Sequence, residues 1–136
     1  GVRVRLLLQG KVEYRLPHYG TQALYDELLR GGVEIVEYRR SFLHAKVAVI
    51  DDWATVGSSN IDPFSLLLAR EANVGIHDAG FAGQLRARLD AAIEAGGVAI
   101  ALQSHQRRPW PVRAMNALAF LVLRIALALS GVAGRY

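Results

Sequence analysis

A histidine and a lysine stand two residues apart in the apolar segment FLHAKVAVID, residues 42–51. If this segment is a strand, alternate side chains share a face, so His44 and Lys46 point the same way. Two groups that can both carry positive charge repel each other unless an anion lies between or above them. A phosphate would supply that anion. The pair therefore predicts a phosphate site in which the imidazole does nucleophilic or acid–base work and the ammonium offsets charge on phosphorus.

Further polar positions follow this pair. Asp51 ends the predicted strand with the opposite parity, so we expect it to anchor the backbone or orient its neighbours rather than attack. Gly57 permits a tight turn after the next strand, and Ser58 and Asn60 then offer a hydroxyl and an amide to phosphate oxygens. Such a set suits phosphoryl transfer without a metal. The alternative is a structural histidine, which is the commoner use of a lone histidine on an apolar strand.

Alternating strands and helices must position these residues. Period-two patterns predict strands over residues 2–9, 33–38, 42–51, 53–56 and 71–77. Period-3.6 patterns predict helices over residues 21–30, with Thr21 as the cap, and 79–95, with Asp78 as the cap. Residues 10–20 are expected to form a loop and residues 62–68 a short helical turn. This order predicts an α/β fold, a mixed β-sheet flanked by helices.

Composition narrows the choice of partners. The chain has 136 residues, enough for one domain, and the absence of cysteine excludes disulfides, thiolate metal sites and cysteine nucleophiles. The net charge is +4, carried by 14 arginines against 2 lysines. Arginine suits phosphate and anionic surfaces, which favours a lipid headgroup, a nucleic acid or a phosphoester as partner. A general preference for arginine in the source genome is the alternative explanation.

The C-terminal segment differs from the rest. Residues 106–113, QRRPWPVR, form a basic and aromatic linker before the apolar residues 114–130. Their charge-free run is shorter than the ~20 residues of a transmembrane span. We therefore expect a helix in the plane of the membrane interface, with basic and aromatic side chains at the headgroup level: Arg107, Arg108, Trp110 and Arg113. The alternative is a helix packed on a core. The predicted domains are residues 1–105 and 106–136.

The combined pattern H-x-K-x4-D and G-S-x-N, which reads HAKVAVID and GSSN, resembles the signature of the phospholipase D superfamily, the HKD motif. The surrounding text, including IDPFSLLLAREANVGI and the RRPW before the apolar tail, resembles the C-terminal half of bacterial cardiolipin synthases of the shorter, B-type kind. The resemblance covers nearly the whole chain. It implies a phospholipase D-like half-domain followed by a C-terminal amphipathic, apolar helix.

The resemblance also implies a role for each motif residue. His44 matches the histidine that forms a phosphohistidine or protonates the leaving alcohol. Lys46, Ser58 and Asn60 match residues that bind the phosphate, and Asp51 matches the supportive motif aspartate.

A further carboxylate is implied. Glu71 falls where family members place a carboxylate that hydrogen-bonds the catalytic histidine and raises its basicity. A surface charge at a strand start is the alternative for this residue.

Two departures from the family pattern stand out. Residues 52–56 separate the motif aspartate from Gly57, one residue fewer than the family usually has. A deletion within a strand would flip side chains to the other face, unless the turn absorbs it. Second, the family site needs two facing HKD motifs, and this sequence holds one. Of the other histidines, His18 could approach the site from its loop, while His77 and His105 are expected at the surface or at helix edges.

The leading functional expectation is an enzyme, a phosphatidyltransferase of the cardiolipin synthase type. The resemblance implies that it joins two phosphatidylglycerols, needs no metal or cofactor, and works at the cytoplasmic membrane, peripherally or with an interfacial anchor. We expect this sequence to be part of a longer protein, so an N-terminal HKD half or a second copy of the chain would be one partner. The membrane surface would be another, and no nucleic acid is expected. The alternatives are a phospholipase D-like phosphodiesterase or nuclease acting as a homodimer, and an inactive fragment. The apolar tail favours a lipid substrate over a nucleic acid.

Overall fold

Strands of two three-stranded sheets form the centre of the fold in the computed structural model, which describes residues 1–59 and 71–129. In the first sheet, β1 (Arg5–Gln9) pairs in parallel with β2 (Glu34–Tyr38), and β2 pairs antiparallel with β6 (Gly97–Ala99). The second sheet is an antiparallel meander of β3 (Val47–Ile50), β4 (Trp53–Gly57) and β5 (Asn73–His77). The predicted α/β class is confirmed, with the strands divided between two sheets.

Helices cover both faces of the first sheet. On one face, Tyr25 of α2 (Tyr25–Arg30) donates a hydrogen bond to the buried Glu37 of β2. On the other face, Arg5 of β1 donates to Asp90 of α3 (Ala79–Gly96) at 3.1 Å. Because α3 also contacts β3, β4 and β5, this helix holds the two sheets together.

The remaining helices form a second layer. Helix α1 (Arg15–Ala23) lies along α5 (Trp110–Leu129), and α2 contacts the short α4 (Leu102–Gln106). The apolar core of the described residues is small and consists of six buried side chains: Tyr25, Ile35, Val36, Ala54, Ala82 and Ala119. Many large apolar side chains therefore remain at the surface, chiefly on the second sheet and on α5.

The predicted loop over residues 10–20 is wrong, because α1 begins at Arg15. Pro17 is compatible with the first turn of this helix, where a backbone N–H has no partner within the helix. Thr21 is not a cap; it lies inside α1, and its hydroxyl donates to the Pro17 carbonyl at 2.9 Å. Gly20 is buried against α5, since an added Cβ would come within 2.5 Å of Leu123 Cδ1. Packing between α1 and α5 thus overrides the local loop signal.

Other predictions meet mixed outcomes. The cap of α3 is confirmed, since the Asp78 carboxylate accepts from the Phe81 N–H at 2.6 Å. The third strand is shorter than predicted, so His44 and Lys46 lie just before it. The three-residue β6 and the five-residue α4 were not predicted. The helical turn predicted over residues 62–68 lies outside the described residues.

Candidate active site

The side chains of His44 and Lys46 meet at the N-terminal end of β3. Lys46 Nζ lies 2.8 Å from His44 Nε2, with His44 exposed and Lys46 half-buried. An ammonium can only donate a hydrogen bond, so Nε2 must accept it and the ring proton must sit on Nδ1. The imidazole lone pair is therefore engaged by the ammonium, and both groups lie next to solvent.

The β3–β4 hairpin places Gly57 opposite this pair. Ile50 pairs with Trp53, which leaves Asp51 and Asp52 as a two-residue turn. Asp51 has φ 52°, a left-handed conformation that aspartate tolerates better than most residues. At the other end, the Gly57 N–H donates to the Lys46 carbonyl at 3.1 Å. The hairpin thus closes with the short spacing between motif aspartate and glycine.

The residues after Gly57 are tied to the start of β5. Ser58 Oγ accepts from the Ala72 N–H at 3.0 Å and donates to the Ala72 carbonyl at 3.4 Å. Ser59 Oγ accepts from Asn73 Nδ2 at 2.6 Å. These bonds fix the turn that follows β4 beside the His44–Lys46 pair. Asn60, the predicted amide ligand, lies outside the described residues.

The two predicted carboxylates occupy opposite ends of the second sheet. Glu71 directly precedes Ala72 and is exposed at the end that carries Ser58, although no hydrogen bond joins it to His44 within the described ranges. Asp51 lies at the other end of β3, and five residues of extended chain from Lys46 span about 16 Å. Its carbonyl accepts from Arg86 of α3 at 2.7 Å. Asp51 is therefore not brought to His44.

Two residues near the pair were not predicted from the sequence. The ladders pair Gly57 with Asn73, and Asn73 Oδ1 fills the space that a Cβ on Gly57 would take. Gln9 Oε1, at the end of β1, accepts from the Leu43 N–H at 2.7 Å and so holds the segment that carries His44. Asn73 is the first residue of β5, and its position in the sequence gives only a weak indication that it lies near the site. Gln9 carries none, because its contact spans 34 positions of the sequence.

The other histidines lie elsewhere. His77 is exposed as expected; it stacks on Trp53 and bonds Asp52 at 2.8 Å, a contact that lowers the pKa of the Asp52 carboxyl. His18 lies in α1 and bonds Gln22 at 3.0 Å; burial lowers its pKa. His105 was expected at the surface or a helix edge, but it is buried because α4 packs on α2.

Comparisons with known proteins identify the family of the chain. The family model for the PLD-like domain of cardiolipin synthase matches residues 1–93, so the chain belongs to that family. The chain is 46% identical over 132 residues to cardiolipin synthase B of Escherichia coli (strain K12) and 44% identical to that of Salmonella typhi. Each alignment covers 96% of the chain but 32% of the relative, so the chain spans about a third of these relatives' length.

A more distant relative matches a shorter stretch. Cardiolipin synthase 2 of Bacillus anthracis is 40% identical over 79 residues, which is 57% of the chain and 15% of that protein. No solved structure matches the chain significantly.

Proposed function

We propose that this chain supplies one half of the active site of a cardiolipin synthase-type phosphatidyltransferase. The substrate would be phosphatidylglycerol, and two molecules of it would give one cardiolipin and one glycerol. The observation that carries the proposal is the His44–Lys46 contact in a chain that belongs to the cardiolipin synthase PLD-like family. The ring tautomer set by Lys46 leaves Nε2 as the nucleophilic atom.

In the first step, His44 Nε2 attacks the phosphorus of one phosphatidylglycerol. A P–N bond forms, the P–O bond to the glycerol headgroup breaks, and the departing oxygen takes a proton from the histidine of a second motif. Lys46 moves from the imidazole to a phosphate oxygen and stabilises the charge that develops there. The product of this step is a phosphatidyl-histidine.

In the second step, the terminal hydroxyl of another phosphatidylglycerol attacks the same phosphorus. The second histidine, now neutral, accepts the hydroxyl proton while the P–N bond breaks and His44 is released. Because this step needs a facing H-x-K motif, we propose that an N-terminal half or a second copy of the chain completes the site. No metal or cofactor takes part in this scheme.

The neighbouring residues take supporting roles in the proposal. The 3.4 Å bond from Ser58 to the Ala72 carbonyl is long, so its hydroxyl proton can turn to a phosphate oxygen. Asn60 would add an amide donor. Glu71 would accept from His44 Nδ1–H, which the tautomer leaves available. Asp51 would act at a distance, by shaping the hairpin turn that sets the register of β4.

Helix α5 supports a membrane location. The helix has 20 residues, and an 18-residue window within it has mean hydropathy 1.8 and is 11% buried, a length and composition that would also allow a membrane span. One side packs on α1, where an apolar groove of about 280 Å³ runs between Leu16, Tyr19, Met115 and Val122. We propose that the exposed side and this groove face the acyl region of a bilayer, as a peripheral, interfacial anchor on the cytoplasmic membrane.

Product analysis tests the proposal. The chain is incubated with phosphatidylglycerol vesicles, alone and together with the remaining two-thirds of the Escherichia coli (strain K12) relative. We expect cardiolipin and glycerol in the mixture, and neither with His44→Ala. Phosphatidic acid as the sole product would instead support a hydrolase, in which water replaces the second lipid. Cardiolipin formed equally well by His44→Ala would overturn the proposal.

A further inference from the structure

A second cavity, of about 200 Å³, lies between α1, α2, α4 and α5. None of its lining residues belongs to the sheet beside His44. Its polar lining comes from six side chains: Gln22, Asp26, His105, Gln106, Arg113 and Asn116. Its volume lies below the ~300 Å³ at which pockets for drug-sized molecules begin, and suits a small polar group.

Two buried polar atoms of this lining have no hydrogen-bond partner among the described residues. They are His105 Nδ1 and Asn116 Oδ1, whose residues are only 8% and 4% exposed. Buried polar groups in native proteins are almost always paired. The amide oxygen can only accept, so it requires a donor such as a hydroxyl, and the ring nitrogen can pair with either end of a hydroxyl. A hydroxyl group, from a water molecule or from a ligand, would supply the missing partner of each atom.

The charge around the cavity is positive. Arg113 lines it, and Arg108 approaches it, donating to Gln22 Oε1 at 2.6 Å. Within residues 1–59 and 71–129, no carboxylate lies within ion-pair distance of either guanidinium. Asp26 is already held by Arg30 at 3.0 Å and by Gln106 at 2.8 Å. Burial and the repulsion from Arg108 and Arg113 lower the pKa of His105, which leaves its ring neutral. The positive charge of Arg108 and Arg113 therefore favours an anionic group at the mouth of the cavity.

We propose that this cavity binds a glycerol phosphate group, with the phosphate on Arg113 and Arg108 and the glycerol hydroxyls on Asn116 Oδ1 and His105 Nδ1. The ligand could be the headgroup of phosphatidylglycerol or free glycerol phosphate, which share this chemistry. Trp110, exposed one turn before Arg113 on α5, favours the lipid source. The site binds without reacting, so it goes beyond the proposed catalysis and needs neither His44 nor turnover.

A preference for one lipid headgroup distinguishes binding in this cavity from general attraction of the chain to a negatively charged membrane. The binding of the full chain, in a His44→Ala background, is measured on vesicles that contain equal fractions of phosphatidylglycerol or phosphatidylserine, which carry the same charge. We expect tighter binding to phosphatidylglycerol by about tenfold. Arg113→Gln should abolish this preference. Arg124→Gln is the matched control, because Arg124 lies on the same helix against Phe120 and does not line the cavity. It should weaken binding to both lipids equally and keep the preference.

A second variant removes the unpaired acceptor. Asn116→Leu keeps the side-chain size and should abolish the preference without lowering the melting temperature, since it removes a buried unpaired atom. Soluble glycerol 3-phosphate, titrated while the His105 ring is observed by NMR, tests the free ligand. Ring shifts with no vesicle preference would assign the site to free glycerol phosphate. A preference that survives both Arg113→Gln and Asn116→Leu, or no preference and no ring shift in the unmodified chain, would overturn the proposal.

Discussion

The Lys46–His44 contact is the feature from which the chemistry is inferred. The ammonium lies within hydrogen-bond distance of the ring nitrogen and so sets the tautomer, and in the proposed reaction it moves to a phosphate oxygen. When a phosphate binds, one anion can accept from the ammonium and leave the Nε2 lone pair directed at phosphorus. Lys46 therefore acts twice in the proposed reaction, first on the imidazole and then on the phosphate.

Replacing Lys46 tests this double role. Lys46→Ala should lower the turnover of phosphatidylglycerol by about 10²–10³-fold, because one donor to the developing charge is lost. The rate of cardiolipin formation in the mixture with the relative's remaining part is the measurement. Lys11→Ala is the matched control, since Lys11 is the other of the 2 lysines in the chain and lies over the Phe42 ring. Equal loss in both variants would contradict a specific role for Lys46.

Gly57 is required by the close approach of β5. An added Cβ would lie 2.6 Å from the Ala72 carbonyl oxygen and would collide with Asn73 Oδ1. Gly57→Ala should therefore destabilise the chain by about 1–3 kcal/mol, measured as the free energy of unfolding in urea. Gly75, on the same sheet, has open space around it, because a Cβ added there would meet no atom within 4 Å. Gly75→Ala should change the stability by less than about 0.5 kcal/mol. Similar losses in both variants would refute the role of close packing at Gly57.

At the scale of elements, local patterns predicted the strands that flank the site and the capped helix α3. The patterns of apolar residues were enough to find β2, β4 and β5. The short β6 and α4 could not be found in this way. They contain three and five residues, too few for a period to show, and they form because they pack on β2 and α2.

The sequence also predicted only some of the contacts at the candidate site. The contact between His44 and Lys46 was predicted from their spacing on a strand, and the two side chains do meet, although both residues precede β3. The contacts of Gln9 with Leu43 and of Asn73 with Ser59 depend on long-range pairing between strands, which one sequence does not reveal. The short spacing between Asp51 and Gly57 does not require a shift of register within a strand, because the hairpin closes through the two-residue turn at Asp51 and Asp52.

The packing of α1 and α4 makes stability depend on pH. Burial lowers the pKa values of His18 and His105 below the ordinary 6.5. Below pH 6.5 the unfolded chain therefore binds protons that the folded chain resists, so stability should fall on acidification from about pH 7.5 to about pH 5.5. His105→Gln should reduce the slope of melting temperature against pH across this window. A slope unchanged by both His105→Gln and His18→Gln would contradict this account.

At the scale of the whole molecule, the exposed apolar side chains are unevenly distributed. Leu118 is 61% exposed on α5, and Leu121 and Ile125 lie on the same helix with similar exposure. A surface of this kind marks an interaction site. Because arginines stand at the start of the helix, we expect the partner to be an anionic bilayer, whose charge is complementary.

Aspartates on this surface test the membrane contact. Leu118→Asp with Ile125→Asp should lower the binding to phosphatidylglycerol vesicles by about tenfold or more, measured by co-sedimentation, because charged groups must then enter the acyl boundary. Ile50→Asp is the control, since Ile50 is 68% exposed at the far end of β3. It should leave vesicle binding unchanged. Loss of binding in the control, or none in the α5 variant, would refute the interfacial role of α5.

The proposal that the chain supplies one half of an active site is tested most directly by capture of the covalent intermediate. The chain and the remaining part of the Escherichia coli relative are mixed with phosphatidylglycerol and quenched in alkaline detergent, which preserves a P–N bond. Peptides are then analysed by mass spectrometry. We expect a phosphatidyl group on the peptide that contains His44, and its absence with His44→Ala. Cardiolipin formation with the adduct on another residue of this chain, or undiminished in His44→Ala, would contradict the account.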